Sequence, residues 1–154
     1  MLAKLKESIK NQITQGATPE KLSQSLTAGI LIGCFPVIGV TTLLSGLAGY
    51  FFKMNHIVIQ SANYLMYPVQ ILMVPVYIKL TSMIVDLGDV PIRPDLIIQL
   101  FKDDKALFFK QYALVGLYSV ILWLIVAPLI FYGLNRLILP FVKRIKNNFH
   151  QGHS

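Results

Sequence analysis

Residues 22–52, LSQSLTAGILIGCFPVIGVTTLLSGLAGYFF, carry no formal charge, and Gly33-Cys34-Phe35-Pro36-Val37-Ile38-Gly39 interrupts their centre. Proline removes a backbone hydrogen-bond donor and clashes with the preceding turn, and glycine lowers helix propensity. In lipid, such a break must be covered by protein or face a wet cavity. We therefore predict two half-helices, at about residues 22–34 and 37–52, that form a re-entrant hairpin. A single kinked span is the alternative.

Two further segments, residues 54–78 and 111–135, also lack charged side chains. A helix of about 20 residues crosses the hydrocarbon layer, so both are long enough to span it. The first contains Pro68 and Pro75 and is predicted to be bent or broken, because proline cannot continue the helical hydrogen bonds. Only residues 111–135 look like a conventional transmembrane helix.

The composition points to the same class of protein. Of 154 residues, 55% are hydrophobic and 14% are charged, whereas a soluble domain has about 25% charged residues. These values exclude a disordered chain and a water-soluble globule. They predict an all-α integral membrane protein with two or three transmembrane helices. Both topologies divide the 14 lysines and arginines identically, so the positive-inside rule does not choose between them.

The whole chain is predicted to form a single membrane domain. Its first part, residues 1–15, is an amphipathic helix lying in the membrane interface. Thr18 and Pro19 have the residue types of a helix start. Asp95 is predicted to cap a short helix over residues 96–101, and Asp104 to cap the last long helix. The remaining predicted segments are a broken hairpin over 19–52, a membrane helix with Pro68 and Pro75 over 54–85, a polar connection over 86–104, a transmembrane helix over 105–142 and a basic polar tail over 143–154.

The net charge of +7 is concentrated near the two ends of the chain. Four lysines lie within residues 1–21, and four basic residues within 136–146. Basic clusters beside membrane segments bind anionic lipid headgroups or act only as a topology signal. We therefore expect membrane lipids, and no nucleic acid, as partners.

A stripe of polar side chains follows the otherwise aliphatic second segment. At about 100° per residue, its spacings of four, three, four and three place all five members on one helix face. They are His56, Gln60, Asn63, Tyr67 and Gln70. Polar groups in a bilayer helix face other helices or a wet cavity. The stripe is thus either a contact between helices or the lining of a cavity for a polar headgroup or an ion.

Small residues recur at intervals of four on both sides of the break. Such ladders allow close packing of helices, and the break bounded by Gly33, Pro36 and Gly39 is alternatively a binding site lined by backbone. The ladders are Ser25-Gly29-Gly33, Thr42-Gly46 and Ser45-Gly49. The hydroxyls of Thr41, Thr42 and Ser45 follow the break directly and can contribute to such a site.

Catalytic patterns are missing from the apolar segments. His56 is their only histidine, they contain no acid, and Cys34 has no basic partner nearby in the sequence. No spacing indicates a metal site, a phosphate loop or a nucleophile elbow. We predict a protein that is not an enzyme and that needs neither metal nor cofactor.

The segments Gln15-Gly16-Ala17-Thr18-Pro19-Glu20-Lys21-Leu22 and Ala28 to Leu44 resemble the bacterial membrane family called domain of unknown function 2062. The resemblance covers about residues 10–85 and includes Asn55, whereas Tyr67-Pro68 stands where the family usually has Asn-Pro. Some members of the family that it resembles are fused to glycosyltransferase-like domains. The resemblance implies an inner-membrane, multi-pass protein in lipid-linked sugar or envelope metabolism.

Together these patterns predict binding or translocation of a lipid or lipid-linked sugar intermediate. The alternative is a structural scaffold or assembly partner of a glycosyltransferase or envelope complex. A homo-oligomer is compatible with either function.

Overall fold

The computed structural model describes residues 17–85 and 93–151, together with Glu7 and Val90. The predicted interfacial helix over residues 1–15 and most of the turn over 86–92 lie outside the described residues. The described part contains helices and no strand. The helices are α1 (Pro19–Gly33), α2 (Thr41–Phe51), α3 (His56–Leu65), α4 (Tyr67–Ile84), α5 (Pro94–Asp103) and α6 (Lys105–Gln151).

The start of α1 confirms the predicted capping. The Thr18 hydroxyl accepts the backbone N–H of Lys21 at 3.3 Å, and Pro19 occupies the first turn. The helix ends at Gly33, as the glycine and the following Pro36 predict. Helix α2 begins four residues later than predicted because Gly39 has φ +94°, a left-handed conformation that cannot belong to a right-handed helix.

α1 and α2 fold back on each other as a helical hairpin. The Lys21 ammonium, at the start of α1, donates to the carbonyl of Phe52 just after α2 at 3.3 Å. Because Lys21 and Phe52 are in contact, the start of α1 and the end of α2 lie at the same end of the molecule.

Asn55 explains how the chain turns from α2 into α3. Its side-chain oxygen accepts the N–H groups of Ile57 and Val58, both at 3.1 Å, and so caps α3. Its own backbone N–H donates to the Ser25 hydroxyl at 2.8 Å. One asparagine therefore starts α3 and attaches it to α1.

α5 differs from its prediction in its cap. It spans Pro94–Asp103 rather than residues 96–101, and Arg93 is the capping residue without a side-chain bond. Asp95 lies inside the first turn and forms an ion pair with Arg93 at 2.8 Å. Pro94 already fills the first helical position, so the helix begins before Asp95 can cap it.

α6 is a single helix that runs past the predicted boundary at residue 142. Asp104 caps it as predicted, since its carboxylate accepts the Leu107 N–H at 2.9 Å. The residues that follow Pro140 include no glycine before Gly152, and Ile145 packs against the core. The predicted basic tail is therefore helical as far as Gln151.

α1 is the central helix, packed between α2, α3 and α6. Leu22, Leu26 and Val58 form one core cluster with Val142 of α6. The Ser23 hydroxyl also donates to the Asn135 side-chain oxygen at 2.7 Å. The Phe35 ring, just after the end of α1, packs against the Trp123 ring with centroids 5.1 Å apart, so α6 runs antiparallel to α1.

The outside of the bundle is apolar. Large side chains of α4 and α6 are exposed, among them Leu72 at 69% and Leu129 at 75%. Many of the fully buried side chains are polar instead, including Ser23, Thr27, Thr81 and Ser119. α4 and the Lys105–Asn147 part of α6 are long and apolar enough to cross a membrane.

Candidate functional site

The predicted polar stripe is divided between two helices, because the chain bends at Met66. His56, Gln60 and Asn63 belong to α3, and Tyr67 and Gln70 belong to α4. Pro68 lies in the first turn of α4, where it has no N–H with which to continue the hydrogen bonds of α3. The prediction of one continuous helix face is thus corrected at this bend.

Three members of the stripe point into the bundle. The Gln60 amide donates to the carbonyl of Thr42 at 3.0 Å, whereas Asn63 and Gln70 are 3% and 1% exposed. Through Gln60 the stripe joins α3 to α2. These contacts are typical of polar residues that pack between helices.

The other two members of the stripe are exposed. The His56 ring packs against Gly49, where a Cβ atom would approach it to 2.6 Å. Tyr67 is 49% exposed at the start of α4. The structure therefore brings Gln60, Asn63 and Gln70 into the interior but leaves His56 and Tyr67 at its edge.

Side chains from α4 cover the break between α1 and α2. The Gln70 amide donates to the carbonyls of Phe35 at 2.8 Å and Val37 at 3.3 Å. The Tyr77 hydroxyl donates to the carbonyl of Cys34 at 2.6 Å. The backbone acceptors freed by the break are therefore sheltered by protein. The contact of Tyr77 was not predictable from the sequence, because nothing in its local spacing relates it to the break.

The residues at the break and directly after it differ in burial. Thr41 and Ser45 are 5% and 0% exposed, whereas the Thr42 side chain is exposed. Pro36 is half-buried, and a Cβ atom on Gly39 would meet open space.

The small-residue ladders allow α3 to approach both helices of the hairpin. A Cβ atom on Gly29 would clash with the Ile59 carbonyl and lie 2.6 Å from the Ala62 Cβ. A Cβ atom on Gly33 would lie 2.5 Å from the Met66 Cβ. These contacts agree with the packing interpretation of the ladder on α1.

A groove of about 610 Å³ opens between α1, α6 and the end of α2, away from the polar stripe. Its walls are mostly aliphatic and aromatic, and its polar side chains are those of Lys21 and Gln24. The lining residues are Lys21, Gln24, Ala28, Leu31, Ile32, Ala48, Phe52, Met54, Trp123, Leu124, Ala127, Pro128 and Phe131. Lys21 and Ile32 are eleven residues apart on α1, so the groove extends along about 16 Å of helix.

This groove was not predicted from the sequence. Small side chains on both walls, Ala28 on α1 and Ala127 on α6, leave its space open. The spacings of three and four between Lys21, Gln24 and Ala28 place them on one face of α1. That pattern alone does not indicate a groove, because the opposite wall comes from a helix about 100 residues later.

Lys21 lies in a basic end of the molecule. Within the described residues it forms no ion pair, whereas neighbouring Glu20 pairs with Lys143 at 3.0 Å. The hydrogen bond from Lys143 lowers the pKa of the Glu20 carboxyl. Lys146 also lies near Glu20, and Lys53 follows the Phe52 carbonyl that Lys21 contacts. The mouth of the groove is therefore positively charged.

Within residues 17–85 and 93–151, no three histidine, cysteine, aspartate or glutamate side chains are grouped to hold a metal ion. Asp86, Asp89, His150 and His153 lie outside the side chains described. The absence of catalysis remains a prediction from the sequence.

Comparison with known proteins supports the family resemblance. A family model with the description "Uncharacterized protein conserved in bacteria (DUF2062)" matches residues 2–147. This match confirms the resemblance and extends it beyond residues 10–85, as far as residue 147 in α6. Neither the curated proteins nor the solved structures include a match to this chain.

Proposed function

The chain belongs to this family of uncharacterised bacterial proteins, and we propose that it is a multi-pass inner-membrane protein that binds a lipid with an anionic headgroup, without catalysing a reaction. The observation that carries the proposal is the apolar groove with Lys21 at its mouth. An acyl or polyprenyl chain matches its walls, and a phosphate matches the lysine.

The distribution of apolar and polar residues supports a membrane location. A soluble protein rarely exposes a large contiguous apolar surface, because hydration of such a surface is unfavourable. Here Leu124, Leu129 and Phe141 are at least 58% exposed on α6, while serines and threonines are buried. This arrangement suits a protein whose exterior contacts lipid.

The helix lengths support a re-entrant hairpin with two spans. α1 and α2, with 15 and 11 residues, rise about 22 and 16 Å, less than the roughly 30 Å of hydrocarbon. α4 and α6 continue beyond the hairpin and pack on each other through Thr81 and Ser119 at 3.0 Å. In this topology, the basic end and α5 lie on opposite sides of the membrane.

Cysteine labelling tests this topology. In a Cys34→Ala background, we expect Lys4→Cys near the N-terminus and Lys53→Cys to react with an impermeant maleimide from the same side of the membrane. Lys102→Cys should react only from the opposite side. Labelling of Lys53→Cys from the side opposite to Lys4→Cys, with Lys102→Cys on the same side as Lys4→Cys, would contradict the hairpin and require three spans.

Lipid binding is tested with the full chain in nanodiscs. The probes are phosphatidylglycerol, polyprenyl phosphate and phosphatidylcholine, each with a photoactivatable diazirine in its hydrocarbon chain. We expect cross-linking of the two anionic lipids to residues that line the groove, several-fold above that of phosphatidylcholine. The ratio of the two anionic probes distinguishes a phospholipid from a lipid-linked intermediate.

Two test variants, each with a control, distinguish lipid binding in the groove from contact with the general lipid-facing surface. Ala127→Phe fills the groove, whereas Leu129→Phe adds a ring at an exposed site on the same helix. Lys21→Gln removes the charge, with Lys110→Gln as its control at an exposed site on α6. We expect the Lys21 change to reduce anionic-lipid binding about three- to tenfold. Equal labelling of all four variants would contradict the proposal.

A structural scaffold is the second candidate, and the contacts of the polar stripe favour it. Gln60 and Gln70 use their amide donors within the bundle, as packing residues do. In this case replacing Gln60 and Asn63 with leucine weakens thermal stability or oligomerisation and leaves lipid cross-linking unchanged. A glycosyltransferase remains a proposed partner for either function.

A further inference from the structure

Helix α5 has a wide apolar face that the other described helices cover only in part. At about 100° per residue, its large apolar side chains form one continuous arc of about 200°. They are Leu96, Ile97, Ile98, Leu100 and Phe101. α5 packs on α6, yet none of its described side chains is buried, and Ile98 is 55% exposed. The arc is therefore available to a surface outside the described chain.

The remaining circumference of α5 is entirely polar. It is formed by Asp95, Gln99, Lys102 and Asp103. With Ile97 near the centre of the apolar arc, Gln99 lies about 200° further round the helix. A helix divided in this way is typical of one that lies between an apolar and an aqueous medium.

The connection to α6 holds α5 beside the first turns of that helix. Asp104, with φ −144° and ψ 89°, separates the two helices. The Phe101 ring packs on the rings of Phe108 and Phe109, with centroids 5.1 and 6.2 Å away. Along one continuous helix, residues seven positions apart are about 10 Å apart. The chain therefore bends at Asp104, and α5 turns away from the axis of α6.

The uncharged part of α6 shows at which level of a bilayer α5 lies. Residues 111–135 carry no charge and rise about 38 Å as a helix, whereas a bilayer with its headgroups is roughly 40–45 Å thick. Lys110 is therefore at the level of the headgroups. Tyr112, whose ring lies 4.7 Å from that of Phe108, is of a type enriched at membrane interfaces. Since Phe101 also packs on Phe108, α5 lies at this level.

We propose that α5 is an interfacial anchor, which lies in the plane of the membrane surface opposite the basic end of the molecule. Its apolar arc contacts the lipid and its polar arc contacts water. Such helices bury the apolar face by about 5–10 Å. A single residue connects α5 to α6, so its attachment is intramolecular and needs little intrinsic affinity. This inference goes beyond lipid binding in the groove, although it rests on the membrane location proposed above.

The charges around α5 distinguish this surface from the groove. Residues 93–105 contain three basic side chains, Arg93, Lys102 and Lys105, and three acidic ones, Asp95, Asp103 and Asp104. Because this segment has no net charge, anionic headgroups add little to its binding. The burial of apolar area provides the affinity instead. We therefore expect α5 to bind zwitterionic and anionic bilayers equally, whereas the groove favours anionic lipids.

The accessibility of spin labels along α5 tests the proposal. The full chain in a Cys34→Ala background carries a nitroxide at single cysteines between positions 95 and 103. Collisions with oxygen, which concentrates in lipid, and with a water-soluble nickel chelate are measured in nanodiscs. We expect the ratio of oxygen to nickel collisions to be several-fold higher at Ile97→Cys than at Gln99→Cys. The ratio should vary with a helical period of about 3.6 residues, equally in phosphatidylcholine and phosphatidylglycerol.

Leu129→Cys, at a site on α6 that is 75% exposed, is the control for the membrane location itself. If its label prefers oxygen while the Ile97 and Gln99 positions have equal ratios, α5 lies in water and this proposal alone is overturned. Low collision rates with both reagents at Ile97 would place the arc against a protein partner and would also overturn it. Preference of the Leu129 label for nickel would contradict the membrane location, on which both proposals depend.

Discussion

Gly29→Ala is expected to lower the free energy of unfolding by about 2–3 kcal/mol. Alanine is the better helix former by about 1 kcal/mol, so helix propensity alone would raise the free energy of unfolding. A decrease therefore shows that Gly29 is a close-packing position. The new methyl group would clash with the Ile59 carbonyl and lie 2.6 Å from the Ala62 Cβ. Since a backbone atom cannot rotate away as a flexible side chain can, α1 and α3 must separate.

The measurement is thermal unfolding in detergent, where a loss of this size lowers Tm by about 4–12 °C. Gly116→Ala on α6 is the matched control, because a Cβ atom there meets nothing within 4 Å. We expect that change to be neutral or slightly stabilising. Equal shifts for both variants would show that Gly29 is not a close-packing position.

Gln70→Leu is expected to destabilise the protein by about 2–4 kcal/mol. The change removes the donor that the Phe35 and Val37 carbonyls share, at 2.8 and 3.3 Å. Leucine fills most of the volume but leaves both partly buried carbonyls without this donor. The loss should therefore exceed that of Tyr77→Phe, which removes one hydrogen bond to the Cys34 carbonyl.

Hydrogen exchange and thermal unfolding of the two variants provide the measurement. Gln70→Leu should increase exchange of the amides in residues 33–41 more than elsewhere in α1. Gln99→Leu is the control, because this glutamine is exposed on α5. If Gln70→Leu and Gln99→Leu unfold at the same temperature, α4 does not hold the break closed.

Features that depend on neighbouring residues were predictable. Pro36 between two glycines ends α1, Thr18 caps it, and Asp104 caps α6, because each effect acts within one helical turn. The two incorrect predictions, the start of α2 and the cap of α5, also concern effects within one helical turn. Gly39 delays the start of α2 through its positive φ, and Pro94 displaces the expected cap at Asp95.

The candidate site was predictable only in part. The spacing of Gln60, Asn63 and Gln70 identified two polar residues that the structure buries, Asn63 and Gln70, and one that it half-buries, Gln60. Exposed His56 and Tyr67 have the same spacing, because periodicity reports a helix face and ignores the bend at Met66. Which carbonyl Gln70 contacts was not predictable, since Phe35 lies 35 residues away.

The amino-acid sequence alone determined where helices stop and which segments are too apolar for water, because proline, glycine and charge act on their own neighbourhood. Tertiary structure alone decided that α4 shelters the break and that a groove separates α1 from α6. Both features arise where segments far apart in sequence meet. Their shape depends on the small side chains at the contact, and no spacing within one segment specifies its partner.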